Sequence, residues 1–257
     1  MRMTARSLRW WNAAGFALVL VMNVLSVALP LGGVTTQELS ERYPVLVTPA
    51  GYAFSIWSVI YALLGCFIVY QARPRTSRRA SVGRIGPWFA ISCLCNAGWL
   101  AAWHYGYVAL STFVMLALLV SLIVIYAGTR RTGRPKTSGE KLFVLLPFSV
   151  YLGWVSMAAI VNVSVMLYDS GWNGFGLPGT VWAVLLLLLA TALGLSVGAV
   201  HSDPIYPLVL VWALAAIAVK QQERSSAVAL TALCGAALLA VFVVLLAVHK
   251  RRSGVSG

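Results

Sequence analysis

Eight stretches of this chain contain no Asp, Glu, Lys or Arg: residues 10–30, 51–71, 87–106, 107–128, 143–168, 180–200, 205–219 and 225–249. A helix crossing a bilayer needs about 20 predominantly apolar residues, and most of these stretches reach that length. Hydrophobic residues make up 60% of the 257 positions and charged residues only 10%, against roughly 45–50% and about 25% in soluble domains. The pattern excludes a water-soluble enzyme and a disordered chain. It predicts an all-α fold, a polytopic membrane bundle of about eight transmembrane helices.

The formal charge of +13 would suggest a nucleic-acid partner in a soluble protein, but its distribution gives a different reading. One set of connections carries Arg2, Arg6 and Arg9, then Arg73, Arg75, Arg78, Arg79 and Arg84. It continues with Arg130, Arg131, Arg134, Lys136 and Lys141 against Glu140, with Asp203, and with Lys250, Arg251 and Arg252. These total +14. The alternate set, Glu38, Glu41, Arg42, Asp169, Lys220, Glu223 and Arg224, totals −1. Basic loops stay in the cytoplasm, so both termini are expected inside, and no nucleic-acid partner is expected. The expected location is multi-pass in a bacterial plasma membrane, with the lipid bilayer as the first partner.

Several elements are marked by local signals. The third and fourth stretches meet near Gly106, which requires a tight turn as in a helical hairpin. The seventh is the shortest and opens on Asp203, Pro204 and Pro207, and Asp203 there reads as a helix cap. The first apolar run exceeds the usual 7–15 residues of a signal peptide, so residues 1–30 read as a retained span. All four cysteines, Cys66, Cys93, Cys95 and Cys234, fall inside spans. The spacing of Cys93 and Cys95 points them in different directions on a helix, so they read as apolar fillers and not as metal ligands. His104, His201 and His249 stand apart from one another. No nucleophile motif, phosphate loop or carboxylate pair is present, so no catalytic residue and no metal site is assigned. The absence of ionisable groups within the spans argues against a proton- or sodium-coupled carrier.

The spans do hold aromatic and amide groups at helical spacing. Trp57 and Tyr61 share a face of the second, with Phe54 three residues before Trp57. Asn96, Trp99 and Trp103 share a face of the third, and Tyr151, Trp154, Ala158 and Asn162 form one stripe on the fifth. An indole N–H or an amide finds no partner in lipid, so these stripes should face the bundle interior. At 1.5 Å per residue, Trp57, Trp99 and Asn162 lie roughly 10 Å from the outer surface, Tyr61 and Asn96 roughly 15 Å, and Trp154 roughly 20 Å. Those depths are below the headgroup level. Trp10, Trp11, Trp88, Trp172 and Trp182, near span ends, read instead as an interfacial belt.

Three pieces in order, Trp57-x-x-x-Tyr61 behind Pro49, Asn96-x-x-Trp99, and Tyr151-x-x-Trp154-x-x-x-Ala158-x-x-x-Asn162, resemble the tryptophan-rich sensory protein or translocator protein family (TspO/MBR). The resemblance covers residues 10–168. It implies a five-helix membrane bundle binding porphyrins such as protoporphyrin IX or haem, and in eukaryotic members sterols, in a pocket closed by the loop between its first two helices. Carried over, Pro49, Phe54, Trp57 and Tyr61 would contribute from helix two. Asn96 and Trp99 would contribute from helix three, and Tyr151, Trp154, Ala158 and Asn162 from helix five. A porphyrin or haem would be a ligand and not an obligatory cofactor. A flat apolar macrocycle with acidic edges suits indole faces ringed by amide and hydroxyl donors. The chain departs from the family pattern at Ala50 and Val150, where proline is usual, and in its first loop, which has Tyr43-Pro44 in place of a Trp-Tyr pair.

The expected organisation is a core over residues 1–168 and a three-helix extension over 169–257. Rows of small residues, Ala190, Gly194 and Gly198 in the sixth stretch and Ala232, Ala236 and Ala240 in the eighth, allow close helix approach. They serve packing within the chain or a homodimer contact. Three functions follow: a receptor or carrier for an amphipathic, tetrapyrrole-like ligand, a porphyrin-degrading enzyme using the same tryptophans, and a non-catalytic regulatory partner of another membrane complex. The lack of a general base or metal site weighs against the enzyme.

Overall fold

The computed structural model describes residues 5–28, 33–76, 79–132 and 137–255. Each of the eight uncharged stretches is helical: α1 Ala5–Ala28, α3 Ile56–Ala72, α5 Trp88–His104, α6 Val108–Arg130, α8 Leu146–Asp169, α9 Gly179–His201, α10 Ile205–Gln221 and α11 Ser226–Val255. Three short helices sit in the connections: α2 Thr36–Glu41, α4 Ala80–Ile85 and α7 Ser138–Glu140. Among the described residues, six helices are long and apolar enough to cross a membrane, and α10 is a shorter apolar helix. That is fewer than the eight expected. Both α5 and α10 have 17 residues, and α5 is further depleted of apolar character by Asn96 and His104. Arg2, Arg78, Arg134 and Lys136, the side chains of Arg6, Arg251 and Arg252, and the end of the first expected span at residues 29–30 lie outside the described residues. The protein is an all-α polytopic membrane bundle.

The chain divides into two compact units, Met1–Arg42 with Ser55–Val155, and Tyr43–Phe54 with Ser156–Gly257. In the first unit, α5 and α6 form the hairpin read from the sequence. Gly106 turns the chain at φ +76°, a backbone region open to glycine without steric cost. Gly15 brings α1 against α5, where an added methyl would stand 3.1 Å from Cys93 Cβ. Phe67, Phe89 and Phe148, each fully buried, meet with ring centroids 5.2–6.0 Å apart and fix α3, α5 and the start of α8 to one another. Two polar pairs link separate elements of this unit. The Asn12 amide donates to Gln71 Oε1 at 3.0 Å, and Arg79 meets Glu140 at 3.1 Å. Pro147 has no N–H to donate and its ring crowds the carbonyl four residues back. The preceding turn, Lys141–Leu145, accordingly widens to a π-helix, with the Leu146 N–H reaching the Lys141 carbonyl.

In the second unit, glycines set the spacing of α9, α10 and α11. A methyl added at Gly194 would lie 2.7 Å from Leu239 Cδ2, and one at Gly198 2.7 Å from Phe242 Cε1 and 3.2 Å from Pro207 Cγ. With Ala190, Ala232 and Ala236 buried, the small-residue rows are filled by neighbouring helices of the same chain. The irregular strap Tyr43–Phe54 is bonded to α10. The Ala50 N–H donates to the Ala216 carbonyl at 3.1 Å, the Trp212 indole to the Ala53 carbonyl at 3.2 Å, and Lys220 Nζ to the Pro49 carbonyl at 3.5 Å. Asp203 precedes α10 as expected of a cap, with Oδ1 accepting the Ile205 N–H at 2.9 Å.

Candidate functional site

Helical spacing on α3, α5 and α8 aims one aromatic or amide group per turn at a common point in the first unit. Trp57 lies at the centre. Its ring stacks on Tyr61 at 5.5 Å and 15° and on Trp99 at 5.8 Å and 28°. It meets Tyr151 at 6.0 Å and Trp154 at 6.3 Å nearly edge-on. Offset stacks and T-shaped contacts are the arrangements that the ring quadrupole favours. Trp99, Tyr151 and Trp154 are buried, while Trp57 is half-buried. Trp57 thus joins four ring contacts with partial exposure.

Asn96, completely buried, links the two tyrosines. The Tyr61 hydroxyl donates to Asn96 Oδ1 at 3.3 Å, and Asn96 Nδ2 donates to the Tyr151 hydroxyl at 2.7 Å. The relay has a fixed direction, because an amide oxygen only accepts and an amide nitrogen only donates. The arrangement places flat apolar faces beside hydroxyl and amide groups. It offers stacking and hydrogen bonding to a flat amphipathic molecule.

Six of the ten residues assigned from sequence, Trp57, Tyr61, Asn96, Trp99, Tyr151 and Trp154, are thus brought together. The other four belong to the second unit. Ala158 and Asn162 follow on α8, where the Asn162 amide donates to the Ala158 carbonyl at 2.9 Å. Pro49 is buried in the strap, and half-buried Phe54 lies in the 3₁₀ turn Gly51–Ser55 that precedes α3. Two further residues of the first unit stand at the cluster. The Asn23 side chain of α1 reaches the Tyr61 hydroxyl while its Nδ2 donates to the Val19 carbonyl at 2.9 Å, and buried Cys93 lies on α5 nearly one turn before Asn96. An amide in mid-span was the available signal for Asn23. The spacing of Cys93, three residues before Asn96, was the corresponding signal on α5. Near the far end of α5, buried His104 holds the Leu100 carbonyl through Nδ1 at 2.9 Å, and its Nε2 lies 3.4 Å from Thr36 Oγ1 on α2.

These features define a class: integral membrane helical proteins in which three helices converge on a tryptophan, tyrosine and asparagine cluster. A family model described as TSPO-like protein matches residues 9–245, and the chain belongs to that family. The match continues past residue 168, where the motif resemblance stops, through α9, α10 and most of α11. No curated protein and no solved structure matches the chain.

Proposed function

We propose that this TSPO-like protein binds a tetrapyrrole, such as a porphyrin or haem, or a similarly flat amphipathic ligand, at the Trp57 cluster, as a receptor or carrier without catalytic chemistry of its own. The observation that carries the reading is the position of Trp57, half-buried and in contact with four other rings. A plane held between two rings needs two contacts of roughly 3.5–4 Å, about 7 Å in all. The 5.8 Å between Trp57 and Trp99 is too narrow for that, so a macrocycle enters as Trp57 turns aside and then covers it. Tyr61, Asn96 and Tyr151 lie at the depth where the ligand's polar edge would be met.

The test is titration of the purified protein in nanodiscs with protoporphyrin IX, following tryptophan emission. Saturable quenching is expected. Removing one stacking ring, worth about 0.5–1.5 kcal/mol beyond its area, should weaken affinity roughly 3- to 10-fold in Trp57→Ala and in Trp154→Ala, with thermal unfolding showing both variants folded. Absence of saturable quenching in the parent protein overturns the porphyrin reading. Illumination of the complex that yields new product spectra would favour a degrading enzyme over a receptor.

A further inference from the structure

In the second unit, the connection between α8 and α9 is built around three aromatic rings. Trp172 meets Phe175 at 5.3 Å and Trp182 at 5.1 Å, and Phe175 meets Trp182 at 6.5 Å. The Trp182 indole donates to the Gly174 carbonyl at 2.9 Å, and Asn173 Oδ1 accepts the Phe175 N–H at 3.1 Å. Gly171, Gly174 and Gly176 take positive φ, as does Phe175 at +55°, a left-handed conformation that is an outlier for a bulky side chain. The ring held this way is 79% exposed, more than any other large apolar side chain among the described residues. Tyr168 at the end of α8 and Leu177 in the same connection are 54% and 47% exposed.

A strained backbone that presents its largest apolar group to water would be doubly unfavourable, so the ring needs an apolar surface to cover it. The location identifies that surface. The loop joins Ser138–Asp169 to Gly179–His201, two segments long and apolar enough to cross a membrane, and the ends of such segments lie at the boundary of the hydrocarbon core. Asp169 is the one charged residue between Lys141 and Asp203. A phospholipid leaflet thus fits this loop better than a polar protein partner does. Because the Trp182 N–H is used within the loop, it is not free for headgroup carbonyls as in an ordinary interfacial tryptophan. It stiffens the turn that presents Phe175.

We propose that Trp172, Phe175 and Trp182 form a preorganised membrane-interface anchor, with Phe175 seated at the headgroup–acyl boundary of the leaflet where α8 ends. The test introduces p-benzoyl-phenylalanine at position 175 of the full chain, followed by irradiation in native membranes and mass analysis of the peptide carrying that position. A phospholipid adduct as the dominant product is expected. A crosslink to another protein, or a ring that reacts with neither because it stands in water, overturns the proposal. The same reagent at position 177 gives an independent reading should the 175 variant fail to fold, and there too a lipid adduct supports the anchor and a protein crosslink overturns it.

Discussion

Asn96 shows how one amide can organise an apolar site. Both of its side-chain functions are used, accepting from Tyr61 and donating to Tyr151, at a position with no exposure. Tyr61 also has Asn23 within reach, so loss of Asn96 falls mainly on the buried Tyr151 hydroxyl. Interhelical hydrogen bonds in membrane proteins average about 0.6 kcal/mol and reach about 1.7 kcal/mol. Leaving one partner unsatisfied places Asn96→Leu towards the upper figure, a loss of about 1–2 kcal/mol. Removing both partners together costs less than removing one. Thermal unfolding in detergent should therefore show Asn96→Leu/Tyr151→Phe to be more stable than Asn96→Leu alone. The convergence of Asn96 with the rings was legible in the sequence, because helical spacing places each group on one stripe per helix. The involvement of Asn23 was not, since a single amide on α1 forms no stripe and declares its partner only when α1 packs on α3.

At the level of elements, α9 and α11 approach through glycine, and this contact yields a specific prediction. A methyl at Gly235 would stand 2.5 Å from Thr191 Oγ1, and that hydroxyl already donates to the Leu187 carbonyl at 2.9 Å. Gly235→Ala should force the threonine out of its rotamer at a cost of about 1–3 kcal/mol, and Thr191→Ala in the same chain should recover most of the loss in unfolding measurements. A second element should respond to pH. In the capping box at the start of α2, Glu38 accepts the Thr35 N–H at 2.7 Å and the Thr35 hydroxyl at 2.9 Å, while the Glu38 N–H donates to Thr35 Oγ1 at 3.2 Å. The bond from the Thr35 N–H, above all, holds the Glu38 carboxyl below its ordinary value. A carboxylate lowered by folding stabilises α2 above the unfolded glutamate range, and the contribution fades as pH falls through the lowered value. Amide exchange at Glu38 and Leu39 should therefore show protection falling on acidification, and Glu38→Ala should lack that dependence. The strap Tyr43–Phe54 was less legible. Its sequence runs on into an uncharged stretch and predicts helix from residue 51, whereas Gly51–Ser55 is a 3₁₀ turn and α3 begins at Ile56. Bonds from a distant helix, such as the one from Trp212 to the Ala53 carbonyl, help to hold that irregular backbone.

For the whole molecule, the charge-free runs gave every long helix to within a few residues, because a bilayer leaves so few ways to satisfy a backbone. The motif resemblance ended at residue 168 because the last helices carry small and aliphatic residues whose role is packing. Their place in the family pattern becomes visible only over the longer match to residue 245. The charge asymmetry leads to the last prediction. With +14 on one set of connections and −1 on the other, the basic set should be cytoplasmic, since Lys and Arg near span ends set topology whereas acidic residues contribute little. Arg75, in the connection after α3, and Ser170, after α8, are both exposed and belong to opposite sets. Each is replaced by cysteine in a chain whose four native cysteines are alanine, and intact cells are treated with a membrane-impermeant thiol reagent. Ser170→Cys should be labelled and Arg75→Cys protected, with the order reversed in inverted vesicles. Labelling of Arg75→Cys from outside would mean that the chain sits the other way round. Labelling of both from one side would mean that an odd number of the intervening helices α5, α6 and α8 does not cross, with the 17-residue α5 the first to be re-examined.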